Sequence, residues 1–162
     1  AIKKIGEIGW KPDMFFLAAT STSVSSVLKP AGFEHSKGII SSYSLKDPND
    51  PQWKDDPGVK AYFAFMDKYY PEGDKLNTVN TYGYSTAELL IQVLKQCGDD
   101  LTRENLMKQA ASLNFEIGIY LPGTRIKTGP DDYAPIEQLQ MMRFKGEIWD
   151  RFGEILSGDV GG

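Results

Sequence analysis

The chain has 162 residues, 41% of them apolar and 12% aromatic, which is enough for one ordinary domain with a core. Its 18 basic and 22 acidic residues give a net charge of -4 with no clustered basic face, so nucleic acid is not an expected partner. No apolar stretch approaches the ~20 residues that span a bilayer, and the opening is charged and periodic rather than patterned as a signal peptide.

Ile2, Ile5 and Ile8 recur at helical spacing. No N-cap residue precedes them, so the sequence reads as starting inside a larger fold. "KPDMFFLAAT" then gives a Pro-Asp break and a continuous apolar run, the pattern of a strand covered on both faces in a parallel sheet. Hydroxyl residues crowd the next stretch, "TSTSVSS", and a short helix is predicted over Ser23–Leu28, stopped by Pro30 and Gly32. "GIISSYSL", from Gly38, reads as a second strand. Together these make β-α-β, a piece of a doubly wound sheet.

From Lys46 to Gly58 the chain turns rich in proline and aspartate, "KDPNDPQWKDDPG", and reads as an extended connector without helix. Three helices are predicted after it. Val59, Tyr62, Phe63, Met66 and Tyr70 fit the 3.6-residue period, with Pro71 and Gly73 as the stop. The next helix runs from about Tyr82 to Gln96, with Ala87, Leu90, Val93, Leu94 and Cys97 on or near one face and Gly98 past its end. Cys97, the single cysteine, allows no intramolecular disulfide and reads as an inert, partly buried thiol. The third helix starts at Thr102, whose hydroxyl can cap the first turn, with Leu101 and Leu106 at staple positions. Beyond Asn114 the pattern becomes β: "FEIGIYLPG" as a strand, "TRIKTGPDDYAP" as a looped connection, and two strands in a tight hairpin around Lys145-Gly146. The tail "SGDVGG" reads as disordered.

Enzyme signatures are sparse. His35 is the lone histidine and its context, "GFEHSKG", reads as an exposed polar turn, so no His-rich metal site exists and a Ser/His/Asp triad would have to use it. Gly38, Gly73 and Gly83 stand alone rather than in a phosphate loop. The pairs Asp55/Asp56, Asp99/Asp100 and Asp131/Asp132 fall in connectors and read as solvated turns. No cofactor or metal is expected. The hydroxyl run remains: ligands of open parallel sheets bind beyond the carboxyl ends of strands. Thr20 to Ser23, with free amides of a first helical turn, can hold a carboxylate there. Alternatively Ser21 or Ser23 merely caps the helix. Tyr82 and Tyr84 flank Gly83 at a predicted helix start and offer rigid contact area with a polar tip. Core packing is equally open for Tyr84.

The order of elements and several strings, among them "AIKKIGEIGWKP", "FEHSKGIISSYSLKDPNDPQWKDDPGV", "NTYGYSTAELLIQVLKQCGDDLTRENLMKQA" and "LPGTRIKTGPDDYAPIEQLQMMRF", resemble the C-terminal part of a periplasmic substrate-binding protein of the branched-chain amino acid ABC transporter type. The resemblance runs from residue 1 to about 155. It implies an α/β fold of the type I periplasmic-binding-protein kind, two doubly wound Rossmann-like lobes joined by three hinge crossings, with the ligand in the cleft. Residues 1–44 would be part of the second lobe and 45–58 a connector after a hinge crossing. Residues 59–115 would return to the first lobe, 116–155 would cross again and complete the second-lobe strands, and 156–162 would be a flexible tail. The N-terminal half of such a protein would lie outside this chain.

Amino-acid-binding relatives grip the ligand ammonium with an acidic residue in the loop after the first strand, whereas the loop here, "AATSTSV", holds none. Hydroxyls cannot supply that counter-charge but suit a carboxylate or phenol. Relatives worded "YGYSTAELL" and "PIEQLQ" resemble scavengers of aromatic carboxylic acids. The resemblance thus implies a non-enzymatic periplasmic component of an ABC importer. It would close on a small organic acid, an aromatic carboxylate or an amino acid, and deliver it to a permease in the inner membrane. Thr20, Ser21 and Thr22 are the expected contacts from the second lobe, Tyr82 and Gly83 from the returning segment, and Tyr43 at the hinge. The same fold also serves as a ligand-sensing domain of receptors or regulators, and a hydrolase would require His35 to matter. A chain holding part of two lobes should leave strand edges and apolar helix faces that favour self-association.

Overall fold

The computed structural model describes residues 1–158. Helix α1 (Ile2–Glu7) buries Ile2 and leaves Ile8 at its C-cap exposed. Phe16 then forms a single parallel bridge to Ile40, with Leu17 N donating to Ile40 O at 2.8 Å and Ile40 N to Phe15 O at 2.9 Å. The expected strand is therefore paired along one edge only. A run apolar throughout needs cover on both faces, and among the described residues no strand flanks its other edge, which leaves Met14 and Phe16 65% and 49% exposed.

A 3₁₀ turn (Ala19–Ser21) and a wide π-type turn (Val24–Leu28) follow, the latter capped by Ser23, whose hydroxyl accepts from Ser26 N at 3.3 Å. Pro30 does not stop this helix. It lies in the first turn of α2 (Lys29–Ala31), where its missing N–H costs nothing, and the break comes at Gly32 with φ +95° before α3 (Phe33–Ser36). His35 belongs to α3 and is half-buried against α1, where a Cβ on Gly6 would fall 2.1 Å from its Nδ1, so the exposed-turn expectation is corrected. The polar string "FEHS" packs because Gly6 leaves room for the ring.

Strand β1 (Ile40–Tyr43) pairs antiparallel with β4 (Gln138–Phe144), which pairs antiparallel with β5 (Trp149–Ser157), in the order β1-β4-β5. The parallel element is thus one bridge on the edge of an antiparallel sheet. The hairpin turns through residues 145–148, with Gly146 at φ +116° and Lys145 N donating to Ile148 O. A bulge falls between Gln140 and Met141, opposite Gly153 at φ +69°. Leu156 and Ser157, expected in the flexible tail, pair with Leu139 and Gln138. The rest of that tail, 159–162, lies outside the described residues.

The connector holds more helix than expected. Asp50 caps a 3₁₀ turn (Pro51–Trp53), and Asp56 caps α4 (Pro57–Tyr69), which opens two residues before Val59. Each start is an Asp-Pro pair, a carboxylate cap followed by a residue whose missing N–H is no loss at N1. Asp56 is no solvated turn residue either, because the buried Lys46 ammonium contacts it at 2.7 Å. Helix α5 (Thr78–Cys97) starts a full turn before Tyr82, with Asn77 as its cap. Helix α6 (Arg103–Ala110) is capped by Thr102 as expected, while Leu101 stays 62% exposed. The predicted strand "FEIGIYLPG" is reduced to β2 (Asn114–Phe115), pairing with β3 (Ile126–Lys127), and a lone bridge from Tyr120 to Leu45. Between them Gly118 O and Ile119 O accept bonds from the Lys46 ammonium and Lys46 N, which draws that backbone away from a ladder.

Two cores result. One gathers Val59, Tyr62, Met66, Val93, Ile117, Ile119 and Ile126, and the other Ile2, Val24, Leu28, Ile39, Met142, Phe144 and Trp149; Tyr43 packs against both. The buried stripe of α5 is Thr78, Thr81, Ser85, Val93 and Cys97, whereas Leu90, Ile91 and Leu94 are exposed. α5 thus buries mostly small side chains and leaves larger aliphatic ones exposed.

Candidate functional site

Between the two cores lies a cavity of about 360 Å³. Ala19 and Thr20 form one wall, the first turns of α5 with Thr78, Val79 and Tyr82 the opposite one. Tyr43, Ser44 and Leu45, where β1 leaves its sheet, make the back together with Tyr120, while Ile136 and Leu139 close a further side. β1 runs straight into the Leu45–Tyr120 bridge and α5 begins at Thr78, so their ends and the Ala19 turn line one cavity.

No lining side chain is ionised at neutral pH; the polar groups are the hydroxyls of Thr20, Ser44, Thr78 and three tyrosines. Burial pushes the Tyr43 phenol up to about 12, only partly opposed by a hydrogen bond with Thr78. It stays protonated and able to donate. Burial also raises the Tyr120 phenol. Ser85 Oγ donates to Tyr82 O at 2.8 Å, so its one proton is committed and Tyr120 Oη, 3.2 Å away, donates to it. Tyr82 lines the cavity while remaining 58% exposed. Such a site offers apolar area and neutral hydrogen bonds, the composition of a small-molecule pocket.

Charge is kept behind the Tyr43 wall. A second cavity of about 20 Å³ shares Tyr43, Leu45 and Thr78 but is also lined by Asp47, Asp50 and Arg151. It has room for about one water and not for a solute. Burial raises the Asp47 carboxyl, against bonds from Asn49 N and Nδ2 at 2.9 and 2.7 Å. Arg151 stacks 4.6 Å from the Trp53 ring, bonds Gln52, and has a buried Nε without a partner.

Of the six residues expected at a site, Thr20, Tyr43 and Tyr82 are brought together on the larger cavity. Ser21, Thr22 and Gly83 do not line it. Thr22 is buried, its hydroxyl donating to Ala19 O at 2.8 Å and its carbonyl accepting from Trp149 Nε1 at 2.9 Å. Gly83 lies one residue beyond Tyr82 on the outer side of α5, with open space where a Cβ would be. Thr78 and Val79 could have been found from Asn77, a cap that moves the helix start forward. Tyr120, Ile136 and Leu139 carry no local signal, since they arrive through the bridge and the sheet. His35 lines a different groove, with Trp10 and Arg143.

Residues 1–147 match the family model described as periplasmic binding protein. Among solved structures, the chain is similar to a branched-chain amino acid ABC transporter protein from Thermus thermophilus with bound valine, at a TM-score of 0.79 and 17% identity over 97% of this chain and 42% of that one. It is also similar to a possible leucine/isoleucine/valine-binding protein from Rhodopirellula baltica (TM-score 0.72, 18% identity, 94% and 38% covered). A leucine-binding protein from Thermotoga maritima superposes as well (TM-score 0.64, 14% identity, 96% and 40%). The chain therefore spans about two fifths of the length of these solved chains. No curated protein sequence matches it.

Proposed function

The chain belongs to the periplasmic binding protein family, and from that premise we propose that it forms part of an extracytoplasmic solute-binding component of an ABC importer. It closes on a small organic acid and presents it to a permease in the inner membrane. The observation that carries this reading is the 360 Å³ cavity set between two separate cores and bearing Thr20, Tyr43 and Tyr82. The two cores support a division into lobes, with residues 1–44 and the β4–β5 hairpin on one side and α4 to α6 on the other. Ligand caught between them stabilises the closed form in proportion to its preference for that form. Thr20, Tyr43 and Tyr82 make the contacts from this part of the protein, whereas Ser21, Thr22 and Gly83 lie off the cavity.

A lining without an ionised group gives an α-ammonium no counter-charge, whereas hydroxyl donors suit a carboxylate or phenol. This supports an aromatic carboxylate over an amino acid. A thermal-shift screen of the full-length protein against valine, leucine and benzoate tests the reading, since ligand at 100 times its Kd adds about 2.7 kcal/mol. A shift with benzoate alone is expected. A shift with the amino acids alone would move the ligand class to that of the similar proteins, and no shift with any organic acid would sink the solute-binding reading.

A further inference from the structure

We propose that Ser23, Ser25, Asp74 and Asn77 form a latch across the mouth of the cavity, positioning residues that set how tightly solute is held without touching it. The inference rests on the solute-binding reading above. Ser23 caps the helical turn that follows the Ala19 wall, and Asn77 caps α5, its Oδ1 accepting from Val79 N at 3.0 Å. The two caps meet: Ser23 Oγ donates to Asn77 Oδ1 at 3.5 Å, across 54 residues of sequence. Nearby, Ser25 Oγ donates to Asp74 Oδ2 at 2.9 Å, across 49 residues. That carboxylate is preset, because its Oδ1 accepts from Leu76 N at 3.0 Å and Asn80 Nδ2 holds the Asp74 carbonyl at 2.9 Å.

These contacts join the two walls of the cavity immediately beyond Thr20 on one side and ahead of Val79 and Tyr82 on the other. Swinging Thr20 away from Tyr82 breaks both. Ser25–Asp74 is the stronger, being charge-assisted and shorter; it is exposed, so water competes for both groups and the bond can open. Such a bond tunes an equilibrium rather than locking it. Apparent affinity scales with the fraction of protein in the competent closed form, so losing the latch weakens binding from a distance. Most of the hydroxyl run is thereby accounted for: Thr22 bonds locally, Ser23 and Ser25 reach across, and Thr20 faces the cavity.

The test is the distance across the mouth in the full-length protein without solute, read by pulsed electron paramagnetic resonance between spin labels at Lys29→Cys and Glu72→Cys in a Cys97→Ser background. Ser25→Ala and Asp74→Ala should each shift the distribution to longer distances, while Ser25→Thr keeps it. Whichever of benzoate, valine or leucine binds should dissociate about fivefold faster from Ser25→Ala, with the melting temperature of the solute-free protein unchanged. An unaltered distance distribution in both alanine variants would overturn the latch. If none of the three probes stabilises the unmutated protein, the solute reading fails separately and the distance measurement still decides the latch.

Discussion

Lys46 shows how much one side chain organises. Its side chain is 7% exposed, and its ammonium contacts Asp56 at 2.7 Å and Gly118 O at 2.6 Å and lies 5.3 Å from the centre of the Trp53 ring. It ties the connector to the cap of α4 and to the segment after β2. Burial works to raise the Asp56 carboxyl, but the Lys46 ammonium and the amides of Val59 and Gly58 outweigh it and hold the carboxyl below its ordinary value. A depressed carboxyl stabilises above its unfolded value and loses that contribution as pH falls through the folded one. Lys46→Met should therefore cost about 3 kcal/mol at neutral pH, and the gap to the unmutated chain should narrow below about pH 4 in urea titrations at several pH values. Tyr43 gives the opposite sign. With its phenol at about 12 against 10.0 unfolded, the folded state keeps a proton that the unfolded state gives up, so stability falls as pH rises from about 10 through 12. Tyr43→Phe should remove one late-titrating phenol from the ultraviolet absorbance profile and flatten that alkaline loss.

At the scale of elements, two glycines in helices make opposite predictions. Gly58, in the first turn of α4, would place a Cβ 2.1 Å from Gly118 O, a backbone atom unable to give way cheaply. Gly58→Ala should cost about 2 kcal/mol through overpacking despite the better helix propensity of alanine. Gly83, in the second turn of α5, meets open space, so Gly83→Ala should gain about 0.5–1 kcal/mol. Chemical denaturation of both variants checks the pair. Neither outcome is legible from the strings "DPGV" and "YGYS", which differ only in what the fold brings beside them. The same holds for capping: Asp56 and Asn77 are readable starts for α4 and α5, and the prolines and tyrosines around them drew the expected boundaries too far along the chain.

For the whole molecule, the outer face of α5 exposes Leu90, Ile91 and Leu94 by 50%, 50% and 38%, and Phe16 and Met14 edge the parallel bridge. We expect this 162-residue chain, prepared on its own, to self-associate at micromolar concentration, because such a face and such an edge favour burial against another copy. Sedimentation velocity showing a lone compact monomer would contradict that expectation. The number and type of the long helices, the β4–β5 hairpin and the family were already determined by sequence, through apolar period, turn glycines and local wording. Those signals act over a few residues. Which side of α5 is buried, how far the run at Phe16 is paired, and where Tyr120, Ile136 and Leu139 arrive were decided by tertiary structure alone. Each depends on a partner distant in sequence, and a hydroxyl that caps a helix, crosses to another wall or faces a cavity has the same local appearance until that partner is in place.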